Sequence, residues 1–140
     1  MKNMKVKCIL LIGLVLLVLL GCEKKLELNK FKEDEVKSKA QDIIELINNR
    51  DYKKIYDDNV SDLVKTTVKD EEYYKSMEEI SKILDKLGKF IEYEKYDIIE
   101  QEENGNTYAT IQYVVKYENE KTVYTLGFDE EYKLINIFIK

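Results

Sequence analysis

From Asp34 onward, apolar side chains at Val36, Ala40, Ile43, Ile44 and Ile47 recur at spacings of four, three, one and three residues. This rhythm is one face of an amphipathic helix. Asp34 and Glu35 sit in its opening turn, where the helix dipole favours acids. Asn48-Asn49 can adopt the left-handed geometry that stops it. A short helix is expected from Asp51 to about Asp57, with Tyr52, Ile55 and Tyr56 together, and Val60, Leu63, Val64 and Val68 suggest another helical turn or two. A long helix begins at Asp70, carries Tyr73, Met77, Ile80, Leu84 and Leu87 on one stripe, and ends at Gly88, placed as a left-handed cap.

Beyond Lys89 the period falls to two. The pattern predicts strands over 90–99, 107–117, 121–128 and 133–139. Asn104-Gly105 supplies the two positive φ angles of a type I′ hairpin between the first two. Helices first, then four strands joined by short turns, is the order of an α+β domain with N-terminal helices packed on an antiparallel sheet. The last strands carry apolar residues at both parities, including Val123 beside Tyr124 and the run Leu134-Ile135. A sheet covered on one side keeps its other face polar, so this pattern predicts a second covered surface or a cavity lining.

The segment before the domain has a different logic. Cys8 to Cys22 is uncharged, preceded by Lys2, Lys5 and Lys7. Its 15 residues fall short of the roughly 17 to 25 a spanning helix needs. Basic start, apolar middle and small exit residue describe a secretory signal peptide. Leu19-Leu20-Gly21-Cys22 resembles the bacterial lipobox. That resemblance implies cleavage between Gly21 and Cys22 and acylation of Cys22, placing residues 22–140 at the cell membrane on its extracytoplasmic face. Residues 1–21 are then the signal, 22–33 the lipidated Cys and a flexible tether, and 34–140 the folded domain. Eleven free residues reach about 20 Å.

Composition narrows the chemistry. Without residues 1–21 the basic count falls from 23 to 20 against 28 acids, and the net charge moves from −5 to −8. With Arg50 as the single arginine, nucleic acid is not an expected partner. The chain has no His, and its two cysteines are consumed by the signal and the lipid, so neither an imidazole base nor a thiolate metal site is expected. No cofactor is expected either. The acidic pairs and triplet Asp57-Asp58, Glu102-Glu103 and Asp129-Glu130-Glu131 lack the alternating oxygen spacing of a calcium loop and are read as solvated turns.

Three stretches, LINNRDYKKIYDD, LDKLGKFIEY and YTLGFDEEYKLINIFIK, are similar to a domain of unknown function found in envelope lipoproteins of low-GC Gram-positive bacteria. It lies within the nuclear transport factor 2-like (cystatin-like) superfamily. The resemblance implies a cone in which a curved four-stranded sheet wraps the long helix and leaves a cavity at the wide end. It brings no catalytic residues. The expected function is a membrane-anchored, non-enzymatic lipoprotein binding a small apolar ligand or an envelope protein, with homodimerisation through the sheet. The alternative is a small-molecule enzyme using a Tyr/carboxylate pair in the cavity. For that pair Tyr93, Tyr96, Asp97, Tyr108, Tyr113, Tyr117 and Tyr124 are the strand-borne candidates, although a strand Tyr ordinarily packs its ring and keeps its hydroxyl wet.

Overall fold

The structure is a computed structural model, which describes residues 7–8 and 28–140. The signal, Gly21 and Cys22 lie outside the described residues, apart from the two-residue strand β1, Lys7–Cys8. Four helical segments precede a four-stranded antiparallel meander, so the α+β order read from the sequence is the order found.

Helix α1 spans Glu33–Asn48 and buries Val36, Ala40, Ile43, Ile44 and Ile47, the face its spacing predicts. Glu33, Asp34 and Glu35 fill its first turn. The left-handed residue after it is Arg50, at φ 59°, rather than either asparagine. The short helix α2, Tyr52–Lys54, starts where Asp51 accepts a hydrogen bond from the Lys54 amide. It opens into a π-helical turn over Ile55–Asn59, wider than the regular helix expected there. Helix α3, Asp62–Thr67, is capped by the Ser61 hydroxyl on the Val64 amide. Helix α4, Asp70–Leu87, buries Tyr73, Met77, Ile80, Leu84 and Leu87. Gly88 ends it at φ 86° and ψ −154°, so the chain leaves extended instead of curling into a left-handed cap.

The strands are β2 (Phe90–Glu103), β3 (Asn106–Tyr117), β4 (Lys121–Phe128) and β5 (Leu134–Ile139). The sheet order is β1-β5-β4-β3-β2, every neighbouring pair antiparallel. Asn104 and Gly105 take φ 55° and 84° in the β2–β3 turn, the pair of positive angles its sequence calls for. Ala109, Ile111, Tyr113, Val115 and Tyr117 of β3, with Tyr124, Leu126 and Phe128 of β4 and Ile137 and Ile139 of β5, form the buried inner face against the helices. On the opposite face Val114, Val123 and Phe138 are half-buried. Outside β1, a parallel bridge from Val60 to Leu134 ties the helical half to the last strand.

Residues 28–32, within the stretch expected to be a tether, pack on the domain. Phe31 is 4% exposed and stacks edge-on against Tyr132 at 5.3 Å. The Glu100 carboxylate accepts hydrogen bonds from the backbone amides of Asn29 (2.9 Å) and Lys30 (3.1 Å), and the Tyr132 hydroxyl accepts one from Lys32. Residues 28–32 are therefore held by the sheet through an apolar anchor and a carboxylate clasp.

Candidate functional site

Strand β2 does not keep the period of two. Its register against β3 shifts between Phe90 and Glu92 and again between Tyr93 and Lys95, two bulges that each insert one unpaired residue. The insertions turn a spacing of two into a spacing of three. Phe90, Tyr93 and Tyr96 consequently share the inner face, opposite Tyr117, Val115 and Tyr113. Their rings run in a track: Phe90 to Tyr93 at 4.9 Å, Tyr93 to Tyr113 at 5.0 Å, and Tyr113 to Tyr96 at 5.4 Å between centroids. Phe90 also meets Tyr117 edge-on at 6.0 Å.

Helix α1 lies alongside this track and is stitched to it. Gln41 Nε2 donates to the Tyr113 hydroxyl at 2.7 Å, and the Tyr93 hydroxyl donates to the Gln41 carbonyl at 3.3 Å. The Tyr117 hydroxyl donates to Asn48 Oδ1 at 2.6 Å. Between helix and strand remains a cleft of about 400 Å³, with Phe90 and Tyr93 on one side and Gln41, Asp42, Glu45, Asn48 and Asn49 on the other. Asp42 and Glu45 are exposed and have no ion-pair partner among the described residues. Burial, followed by the charge of Glu45, pushes the Tyr93 hydroxyl up to about 12. At the far end of the track Tyr96 donates to Glu33 at 2.7 Å, and this bond, followed by desolvation, pushes it up to about 12. The Lys37 ammonium sits 5.1 Å above the Tyr96 ring.

The interior behind the track is occupied by side chains. Tyr73, Tyr117, Tyr124 and Phe128 are all but fully buried there. Tyr117 and Tyr124 share a hydrogen bond of 2.6 Å, and the Tyr73 hydroxyl donates to the Tyr52 carbonyl at 3.0 Å. Burial raises Tyr73, Tyr117 and Tyr124. The buried polar side chains among the described residues are Asn59, Ser61, Thr107, Thr110, Thr122 and Asn136, without an Asp or Glu.

Residues 40–137 match the family described as protein of unknown function (DUF3887). The chain belongs to the DUF3887 family. The matched stretch contains Gln41, Asp42, Glu45, Phe90 and Tyr93, and so the whole cleft lies within the DUF3887 domain. A protein from Ruminococcus gnavus ATCC 29149, solved by NMR, is similar at 27% identity with a TM-score of 0.69, over 81% of this chain and 95% of that one. No curated protein matches the chain.

Of the strand residues singled out from the sequence, the DUF3887 fold brings Tyr93, Tyr96, Tyr113, Tyr117 and Tyr124 to one face and places Asp97 and Tyr108 at the opposite parity. The Tyr–carboxylate contact it forms, Tyr96 to Glu33, is on the exposed rim and not inside. The acidic groups are used locally. Asp57 and Asp58 pair with Lys53 and Lys54, and Asp129 accepts from the amides of Glu131 and Lys133. Glu130 accepts from the Thr107 amide, while Glu102 and Glu103 are exposed beside the hairpin. No group of three or more metal-ligating side chains occurs among the described residues, and none of their helices is long and apolar enough to cross a membrane. Sequence reasoning missed Asp42, Glu45 and Phe90. The available signal was the aromatic spacing of three in Phe90, Tyr93 and Tyr96, which contradicts an unbroken strand.

Proposed function

We propose that this DUF3887 chain is an extracytoplasmic lipoprotein, anchored through Cys22, whose domain holds a small ligand in the α1–β2 cleft without transforming it. The observation that carries the reading is the cleft itself. Its Tyr93 side is tied to α1 by the bond to the Gln41 carbonyl, and Tyr113 and Tyr117 behind it by two more, which lowers the ordering cost of binding. The four-stranded sheet bent by two bulges in β2 supports assignment to the nuclear transport factor 2-like cones.

Two features favour binding over chemistry. A Tyr/carboxylate enzyme needs a buried acid within hydrogen-bond reach of its tyrosine, whereas the Tyr93 hydroxyl in the cleft donates to the Gln41 carbonyl and the buried polar side chains among the described residues are amides and hydroxyls. Burial raises Tyr73, Tyr93, Tyr117 and Tyr124, and the bond to Glu33 raises Tyr96, away from the tyrosinate a Tyr base would require.

The test is native mass spectrometry of the full chain purified from membranes, beside Phe90→Ala. A small molecule retained by the parent and lost from the variant supports the reading; a ligand-free parent refutes it. The anchor is tested separately by Cys22→Ala, which should stop processing at Gly21 and abolish lipid. An unchanged mature mass and membrane retention would remove the lipoprotein assignment.

A second copy of the chain is the proposed occupant of the outer sheet face. Val114 pairs with Val123 across β3 and β4, and Phe138 lies one strand further, all half-buried and uncharged. Light scattering of the detergent-solubilised chain showing a dimer supports this, and a monomer at tens of micromolar excludes it.

A further inference from the structure

The chemistry lining the cleft is divided. One side offers aromatic rings, Phe90 (37% exposed) and Tyr93, and the other offers the Asp42 and Glu45 carboxylates. Those carboxylates are three residues apart on α1, hence neighbours on one helix flank, and no cation of the described chain neutralises them.

Some exposed acids elsewhere in the fold do meet a cation. Lys53 and Lys54 reach Asp57 and Asp58, Arg50 reaches Asp85, and Lys121 reaches Glu94. The same aromatic track receives a positive charge at its other end, where Lys37 sits over Tyr96. The cleft end has the rings and the acids but no ammonium from the described residues.

We propose that the cleft recognises a small organic cation, an amine or quaternary ammonium, with its alkyl groups against Phe90 and Tyr93 and its charge facing Asp42 and Glu45. A ring face attracts a cation through its quadrupole, most strongly when water is excluded, and a quaternary nitrogen needs no hydrogen-bond acceptor. An anionic ligand is excluded by the two carboxylates. A purely apolar one would leave them without a role in affinity. The assignment deepens the ligand-binding reading and rests on it.

The experiment is an amide-shift titration of the full chain in detergent with choline and with its neutral isostere, in which carbon replaces the quaternary nitrogen. Choline should produce saturable shifts centred on Asp42, Glu45, Phe90 and Tyr93, with the isostere about ten-fold weaker. The double variant Asp42→Asn/Glu45→Gln, exposed positions whose change leaves packing intact, should weaken choline by a similar factor, and Phe90→Ala should weaken both probes. If the isostere binds as well as choline and the double variant is unaffected, the cation assignment falls while the cleft remains a ligand site. Choline shifts spread evenly over acidic surface residues identify a counterion and also overturn it. Absence of a saturable shift from either probe overturns the cation assignment and the cleft reading together.

Discussion

The Tyr117 hydroxyl donates to Asn48 Oδ1 at 2.6 Å and lies 2.6 Å from the Tyr124 hydroxyl. Because Tyr117 has one proton and gives it to Asn48, Tyr124 must donate to Tyr117. The order of the chain fixes its energetics. Tyr117→Phe leaves both the Asn48 oxygen and the buried Tyr124 hydroxyl without a partner and should cost about 1–3 kcal/mol. Tyr124→Phe leaves the Tyr117–Asn48 bond standing and should cost less, about 1 kcal/mol. Urea unfolding of the three proteins checks the order; equal losses would show that the bonds are independent.

Gly88 and Gly105 both have positive φ, but their surroundings differ. A Cβ at Gly88 would stand 2.8 Å from Glu118 Oε1, the oxygen that accepts from the Lys89 amide, whereas nothing lies within 4 Å of one at Gly105. At φ 86° and ψ −154° Gly88 also occupies a region essentially closed to other residues. Gly88→Ala should cost about 1–3 kcal/mol and Gly105→Ala about 1 kcal/mol. Denaturant midpoints that reverse this order would place the strain in the hairpin.

Gly127 stands opposite Asn136 in the β4–β5 ladder, and a Cβ there would come within 2.7 Å of the Asn136 Oδ1 atom. That oxygen is buried without a hydrogen-bond partner. Gly127→Ala should destabilise by about 1–3 kcal/mol, and the loss should largely disappear once Asn136→Ala has cleared the space. A double-mutant cycle in urea gives the coupling; simple additivity would mean that Asn136 moves aside at no cost.

Alkaline pH should weaken the fold. Tyr93 and Tyr96 are raised from 10.0 to about 12, the first by burial and the second chiefly by its bond to Glu33. A raised folded-state value means that the native state holds these protons more tightly. The associated stability is complete below about pH 10 and is lost as the pH climbs through about 12. Tyrosinate absorbance followed beside circular dichroism should show late ionisation overlapping unfolding. Glu33→Gln should move Tyr96 back toward 10.0, and an unchanged titration would assign the shift to desolvation.

Helix faces and strand order were legible because burial imposes a period on the residues that meet the core. Val36 to Ile47 and Tyr73 to Leu87 needed only spacing. The bulges in β2 were harder, because an inserted residue looks like noise until the partner strand sets the register. The cleft was illegible for a related reason: Asp42 and Glu45 read as ordinary solvent-facing acids until the fold sets Phe90 and Tyr93 opposite them. The clasp on residues 29 and 30 depends on Glu100, some seventy positions away, and no local pattern announces it.

That clasp also gives the domain a direction. Residues 29 and 30 are fastened to Glu100, so the described domain begins at residue 28 and not at the expected boundary of 34. Glu100 and Tyr93 lie seven residues apart on the same strand, or about 20 Å along it. In the lipoprotein proposed above, β2 would carry the attachment at its Glu100 end and the cleft at the other, so that a ligand could enter without passing the anchor.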